Sequence, residues 1–149
     1  MIRVMTEAFD AGAELAAFSA RLPEAGAIVT FLGQVRGNDG AAGEVCAMTI
    51  EHYPGMTEKE MEAIEAEARR RWSLFDLLVI HRYGRLMPGD PIVLVMTASR
   101  HRHAAYEANE FLIDWLKTKA PFWKKEEGPE GARWVEAKTT DDTAAARWR

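Results

Sequence analysis

The sequence predicts a domain of the α+β, or mixed α/β, class, and three observations carry that expectation. Short apolar, β-branched runs recur at GAIVTFLG (26–33), FDLLVIH (75–81) and PIVLVMTAS (91–99), each of strand length and too short for a buried helix. Between them lie stretches whose apolar residues repeat every three to four positions. Gly and Pro fall singly at the boundaries, with no internal repeat and no low-complexity linker. Strands and helices mixed in this way imply a sheet covered by helices. At 149 residues and 48% hydrophobic composition the chain fits one domain over residues 1–149 with a substantial core.

Taken in order, IRVMTEAF (2–9) reads as a strand, and DAGAELAAFSARL (10–22) as a helix capped by Asp10 with Leu15, Phe18 and Leu22 at helical spacing. GAIVTFLGQVRG (26–37) is a strand that turns polar after Gly33, so its end should reach the surface. NDGAAG (38–43) reads as a loop leading, hairpin-fashion, to the strand VCAMTIEHY, which Pro54-Gly55 ends. Cys46 falls in that alternating run and reads as a small core residue; a single cysteine allows no internal disulfide and no multi-thiolate zinc site.

MTEKEMEAIEAEARRRW (56–72) opens with a capping-box pattern at Thr57 and Glu60 and sets Met61, Ile64, Ala68 and Trp72 on one face. Its acids come early and Arg69, Arg70 and Arg71 come late, as the helix dipole prefers. FDLLVIHRYG and PIVLVMTAS form an expected antiparallel pair joined by LMPGD, where Pro88 and Gly89 suit the central positions of a type II turn. A further helix is expected from about Arg100 to Lys117, with Ser99 as N-cap, Ala105, Ala108, Leu112 and Leu116 facing the core, and Pro121 preventing continuation. A short FWKKE strand, a GPEG turn, a RWVEA strand and a polar, Ala-rich tail complete the chain.

Net charge −4 argues against nucleic-acid binding by overall charge, so an anionic partner must meet a local basic cluster. Two clusters exist. RHRH (100–103) crowds a helix N-terminus that would rather face acids, which points to a phosphate or carboxylate site unless the side chains simply splay into water. Arg36 and Arg82, near strand ends, could join that surface or be ordinary solvated arginines. KTKAPFWKKE (117–126) holds four of the six lysines around Phe122 and Trp123. Apolar walls and neighbouring cations lower a lysine pKa and free the amine for proton transfer or attack. On a strand Lys124 and Lys125 face opposite ways, so only one of them can share a pocket with Lys117. The same lysines could equally protect an edge strand from pairing with other chains. His52 and His81, beside strand ends, read as hydrogen-bonded structure. No metal-ligand spacing, P-loop, GxGxxG or GxSxG motif occurs, so neither metal nor cofactor is expected. The absence of an apolar run of membrane-spanning length, and of a signal-peptide pattern in MIRVMTEAFD, points to the cytoplasm and away from membranes.

The blocks TFLGQVRG, TIEHYPGMTEKEM, VIHRYGRLMPGD, the His-Arg pair at 101–102, and DWLKTKAPFWKKE followed by RWVEA resemble the large, catalytic subunits of molybdopterin synthase, most clearly over residues 26–138. The resemblance implies an α/β hammerhead-type fold with an additional small antiparallel sheet. It also implies a homodimer that binds two small ubiquitin-like sulfur-carrier subunits as a heterotetramer. The activity it implies is sulfur transfer: each carrier would insert a C-terminal Gly-Gly thiocarboxylate, and two donations would convert cyclic pyranopterin monophosphate (precursor Z) into the dithiolene of molybdopterin. The family's essential lysine falls on Lys117 and its second pocket lysine on Lys124, with Lys125 and Glu126 in the substrate-contacting stretch. Arg36, His101 and Arg102 fall on its anion-binding positions and Lys138 on a further basic one, while Gln34 stands where some relatives carry lysine. A continuous helix from 101 to 117 would separate its ends by about 24 Å, so the resemblance and the geometry together imply a pocket shared across the dimer. Two other readings remain: a non-enzymatic module that captures the acidic tail of a partner, and an RNA-binding domain stacking bases on Tyr83 and Trp123.

Overall fold

The computed structural model describes residues 1–38, 43–136 and 138–149. The predicted class holds: two four-stranded sheets and four helices are present among them. The larger sheet contains β1 (Ile2–Met5), β2 (Ala27–Gln34), β4 (Asp76–Arg82) and β6 (Pro91–Ser99), in the order β1-β4-β6-β2. Only the β1–β4 pair is parallel. The second sheet, antiparallel throughout, contains β3 (Ala47–His52), β5 (Gly84–Leu86), β7 (Phe122–Gly128) and β8 (Gly131–Trp134), in the order β5-β3-β7-β8. Of the expected 38–43 loop, residues 39–42 lie outside the described residues; at its margins Asn38 and Glu44 form an antiparallel bridge. Ala137, the end of the expected RWVEA strand, also lies outside them.

The larger sheet is covered on both faces, which is why β4 and β6 are almost wholly buried. Leu78, Ile80, Leu94 and Met96 pack under Phe18 of α1 (Ala11–Ala20). Leu77, Val79 and Val95 pack with Met61 and Ala68 of α2 (Met56–Arg71) and with Phe111 and Leu112 of α3 (Arg102–Thr118). Asn109 pins α3 to the sheet: its side-chain amide donates to the carbonyls of Val29 (3.1 Å) and Val95 (3.0 Å). At Pro88-Gly89 the expected turn forms, with Gly89 at φ 86° and the Asp90 N–H donating to the Met87 carbonyl.

Several local expectations are corrected. Asp10 does cap α1, accepting from the Ala13 N–H at 2.9 Å, but Leu15 of that helix is exposed. The cap of α2 is Gly55, whose N–H donates to the Glu58 carboxylate at 2.7 Å; Thr57 instead is buried inside the first turn and donates to the Tyr53 carbonyl. Helix α3 begins at Arg102 after His101, because Ser99 is the last residue of β6 and its hydroxyl donates to the Ser73 carbonyl. Cys46 is exposed: it lies just before β3, between the buried Val45 and Ala47. The polar tail forms a fourth helix, α4 (Thr139–Ala146), packed on α3. Among the described residues no helix is long and apolar enough to cross a membrane.

Candidate active site

The basic residues of 117–126 are drawn together because the chain reverses tightly there. The last turn of α3 is closed by the Lys119 and Ala120 N–H groups, both donating to the Trp115 carbonyl (2.8 and 3.2 Å). Pro121 cannot continue the helix. The Phe122 N–H then donates to the Ala120 carbonyl at 2.8 Å and β7 begins. Lys117, exposed at the end of α3, and Lys124, half-buried on β7, are thereby brought into one neighbourhood.

Strand parity then sorts the remaining residues. Phe122, Lys124 and Glu126 lie opposite His52, Ile50 and Met48 of β3, and Ile50, Met48 and Glu126 are buried, so this is the inward face. Lys125 lies on the other face, with its ammonium 5.5 Å from the centre of the Trp134 ring. Trp123 is also on that outer face, edge-on to Tyr53 at 4.7 Å, so of the two expected aromatic walls only Phe122 shares the face of Lys124. Glu126 shares the inward face with Lys124 and is held by Arg133 at 2.9 Å.

Electrostatics define the site's membership. Burial pushes the Lys124 pKa down from 10.5 to about 8; the positive charge of Lys117, and beyond it that of Arg36, acts in the same direction, while Asp141 opposes them. Arg36, just past β2, thus lies within electrostatic reach of Lys124, whereas the residue pattern alone groups it with RHRH or leaves it solvated. Asp141 was not anticipated. It comes from the first turn of α4, whose N-cap is the exposed Lys138. Gln34, at the exposed end of β2 beside a β-bulge, lies two residues before Arg36.

Below the lysines sits His81, buried on β4. Its ring stacks on Phe122 with centroids 3.7 Å apart and planes at 14°. Its Nδ1 lies 2.8 Å from the Arg82 carbonyl oxygen, and since a carbonyl only accepts, Nδ1 carries the proton. Burial first, then the charge of Lys124, pushes its pKa down to about 3, so the imidazole is neutral. Arg82 is not part of the basic surface. It is buried and donates to the Thr6 and Pro91 carbonyls, tying the ends of β1 and β6 together.

His101 and Arg102 are exposed at the opposite end of α3. Fifteen residues of helix separate Arg102 from Lys117, about 22 Å, so one chain does not bring the two basic clusters together. Beside them His103 already has a partner, Glu107, at 2.5 Å. Among the described residues no group of three or more His, Cys, Asp or Glu side chains could hold a metal ion. A cleft of about 270 Å³ between α2, α3 and α4, lined by Ile64, Phe111, Trp115 and Trp148, contains none of the lysine-pair groups.

Two neighbours of the lysine pair carry no role in the sequence reading. The sequence reads His81 as hydrogen-bonded structure, and its bond to the Arg82 carbonyl bears that out, but nothing local reveals that it will meet Phe122 of a distant strand. Asp141 had a usable signal: TTDD places two acids where a helix N-terminus favours them, followed by an alanine run.

Comparison with known proteins agrees with this architecture. The family model described as MoaE protein matches residues 4–119. A Pseudomonas aeruginosa protein named molybdopterin synthase catalytic subunit is 55% identical over 148 residues, covering 99% of this chain and 97% of its own length. A solved structure of a molybdopterin biosynthesis MoaE protein from Burkholderia ambifaria superposes with a TM-score of 0.83 at 53% identity, covering 99% of this chain and 97% of the other. The crystal structure of molybdopterin synthase from Staphylococcus aureus matches with a TM-score of 0.81 at 30% identity, covering 90% and 96% respectively. With its matched region extending from the first strand through the end of α3, the chain belongs to the MoaE protein family.

Proposed function

We propose that this chain is the catalytic subunit of molybdopterin synthase, a single-domain cytoplasmic sulfurtransferase that moves sulfur from the thiocarboxylate of a small ubiquitin-like carrier to precursor Z. The observation that carries the reading is the convergence of Lys117, Lys124 and Arg36, with Lys124 held near a pKa of 8. Precursor Z bears a cyclic phosphate and the carrier tail a thiocarboxylate, so two anions must approach each other before sulfur can move. A cluster of cations with one tunable member reduces that repulsion and supplies a proton donor at the same place.

In this reading Lys117, exposed at the end of α3, is the principal proton-transfer group or transient nucleophile. Lys124 stabilises the oxyanion that forms at the attacked carbonyl. Arg36 holds phosphate, and His101 and Arg102 do so from the second protomer of a homodimer, because their own Lys117 is out of reach. Gln34, two residues before Arg36, and Lys138, at the N-cap of the helix that carries Asp141, add substrate contacts. Glu126, fixed by Arg133, orients the inward face of β7, and Lys125 on the outer face meets the carrier. Two donations, each leaving the carrier as a carboxylate, complete the dithiolene within a heterotetramer.

The test is direct. Purified protein, thiocarboxylated carrier and precursor Z should yield dithiolene product, and Lys117→Ala should abolish turnover while leaving fold and dimer intact. Tail binding without product from the wild-type protein would convert the reading to that of a capture module.

A further inference from the structure

We propose that His81 is a positioning residue for the lysine pair: stacked on Phe122 and hydrogen-bonded to the Arg82 carbonyl, it joins the two sheets where β7 begins and thereby fixes Lys124 against Lys117. The inference rests on the synthase reading for its catalytic meaning, but its geometric content stands independently.

His81 shares its face of β4 with Leu77 and Val79, both of which pack into the apolar core. A leucine would fill such a position without burying an imidazole, so the ring calls for another explanation. The stack supplies it. His81 belongs to the larger sheet and Phe122 to the second, and they meet at 3.7 Å and 14°. Phe122 also meets the His52 ring, tilted by 40° with centroids 6.0 Å apart, and His52 is itself tied by Nδ1 to the Thr57 hydroxyl at 3.0 Å. Phe122 is therefore in contact with two anchored rings. Lys124 follows two residues later on the same face, about 7 Å along the strand, so a displacement of Phe122 is carried to it.

The charges around this joint are Lys124 of β7, Lys117 of α3 and His52 of β3 near His81, and Lys117, Arg36 and Asp141 near Lys124. With His81 neutral, the joint adds no cation to the pocket. Loosening it would let water reach Lys124 and return its pKa toward that of an ordinary lysine.

The experiment compares His81→Phe, which keeps a stacking ring, with His81→Asn, which keeps a donor for the Arg82 carbonyl but loses the stack. The reactivity of Lys124 toward trace acetic anhydride is followed against pH by mass spectrometry, alongside turnover. The expected result is an upward-shifted Lys124 midpoint in His81→Asn, with kcat reduced on the order of tenfold to a hundredfold and KM little changed, while His81→Phe keeps the wild-type midpoint. A wild-type midpoint in folded His81→Asn overturns the proposal; should that variant not fold, a shifted midpoint in His81→Phe overturns it. Because the labelling needs no turnover, a wild-type protein that makes no dithiolene would refute the synthase reading and leave the joint to be judged separately.

Discussion

Replacing Lys124 by methionine should remove activity and at the same time stabilise the protein. In the folded state the Lys124 pKa is near 8, against 10.5 for an ordinary lysine. Below pH 8 both folded and unfolded chains carry the proton, and the full difference of 2.5 pKa units acts against folding. At 1.36 kcal/mol per unit this amounts to about 3 kcal/mol. Between pH 8 and 10.5 the folded chain releases the proton while the unfolded chain keeps it, so the penalty shrinks with rising pH and vanishes above that window. Methionine has similar length, no charge and a good fit to the inward face beside Ile50. Lys124→Met should therefore exceed the wild type by up to about 3 kcal/mol at pH 7, or roughly 6–12 °C in Tm for a domain of this size. Urea unfolding of both proteins at pH 7 and pH 10 measures the difference and its pH dependence. A variant less stable than wild type at pH 7, or a gain that does not diminish toward pH 10, would refute the assignment of Lys124 as a penalised, pocket-facing cation.

The same linkage predicts that binding the phosphate of precursor Z raises the Lys124 pKa, so up to about one proton per site should be taken up near pH 9 and almost none near pH 6.5; calorimetry in buffers of different ionisation heat reads this directly. Gly26→Ala should destabilise the fold by about 2 kcal/mol or more, because a Cβ there would stand 2.1 Å from the Arg100 carbonyl oxygen. Precursor Z affinity should fall in the same variant, since Arg100 leads into His101 and Arg102. Asn109→Ala, which removes the donor shared by the Val29 and Val95 carbonyls, should cost about 2 kcal/mol in urea unfolding with an unchanged denaturant slope.

Much of this architecture was legible because it depends on local pattern. The periodicity of 56–72 identified the buried face through Met61 and Ala68, and the Pro88-Gly89 turn followed from φ restrictions on those two residues. The opposite facing of Lys124 and Lys125 followed from strand parity alone. Element ends were less legible: Ser99 and Thr57 have the chemistry of caps, but long-range and backbone demands engaged both hydroxyls elsewhere. Tertiary partners were illegible. Arg82 resembles any surface arginine until the Thr6 and Pro91 carbonyls are seen to converge on it, and the His81–Phe122 stack joins residues forty-one positions apart in different sheets. The fourth helix was missed because an Ala-rich polar stretch looks like a tail unless α3 is there for it to pack against.

The most direct test of a synthase site assembled from two protomers uses two variants that should each be inactive, Lys117→Ala and Arg102→Ala. Mixed under conditions of subunit exchange, they form heterodimers in which one site has lost both groups and the other retains both. Random exchange then gives half heterodimers and about a quarter of wild-type dithiolene formation. That recovery is the predicted result; no product from the mixture, with the wild type active and exchange verified, would contradict the shared site.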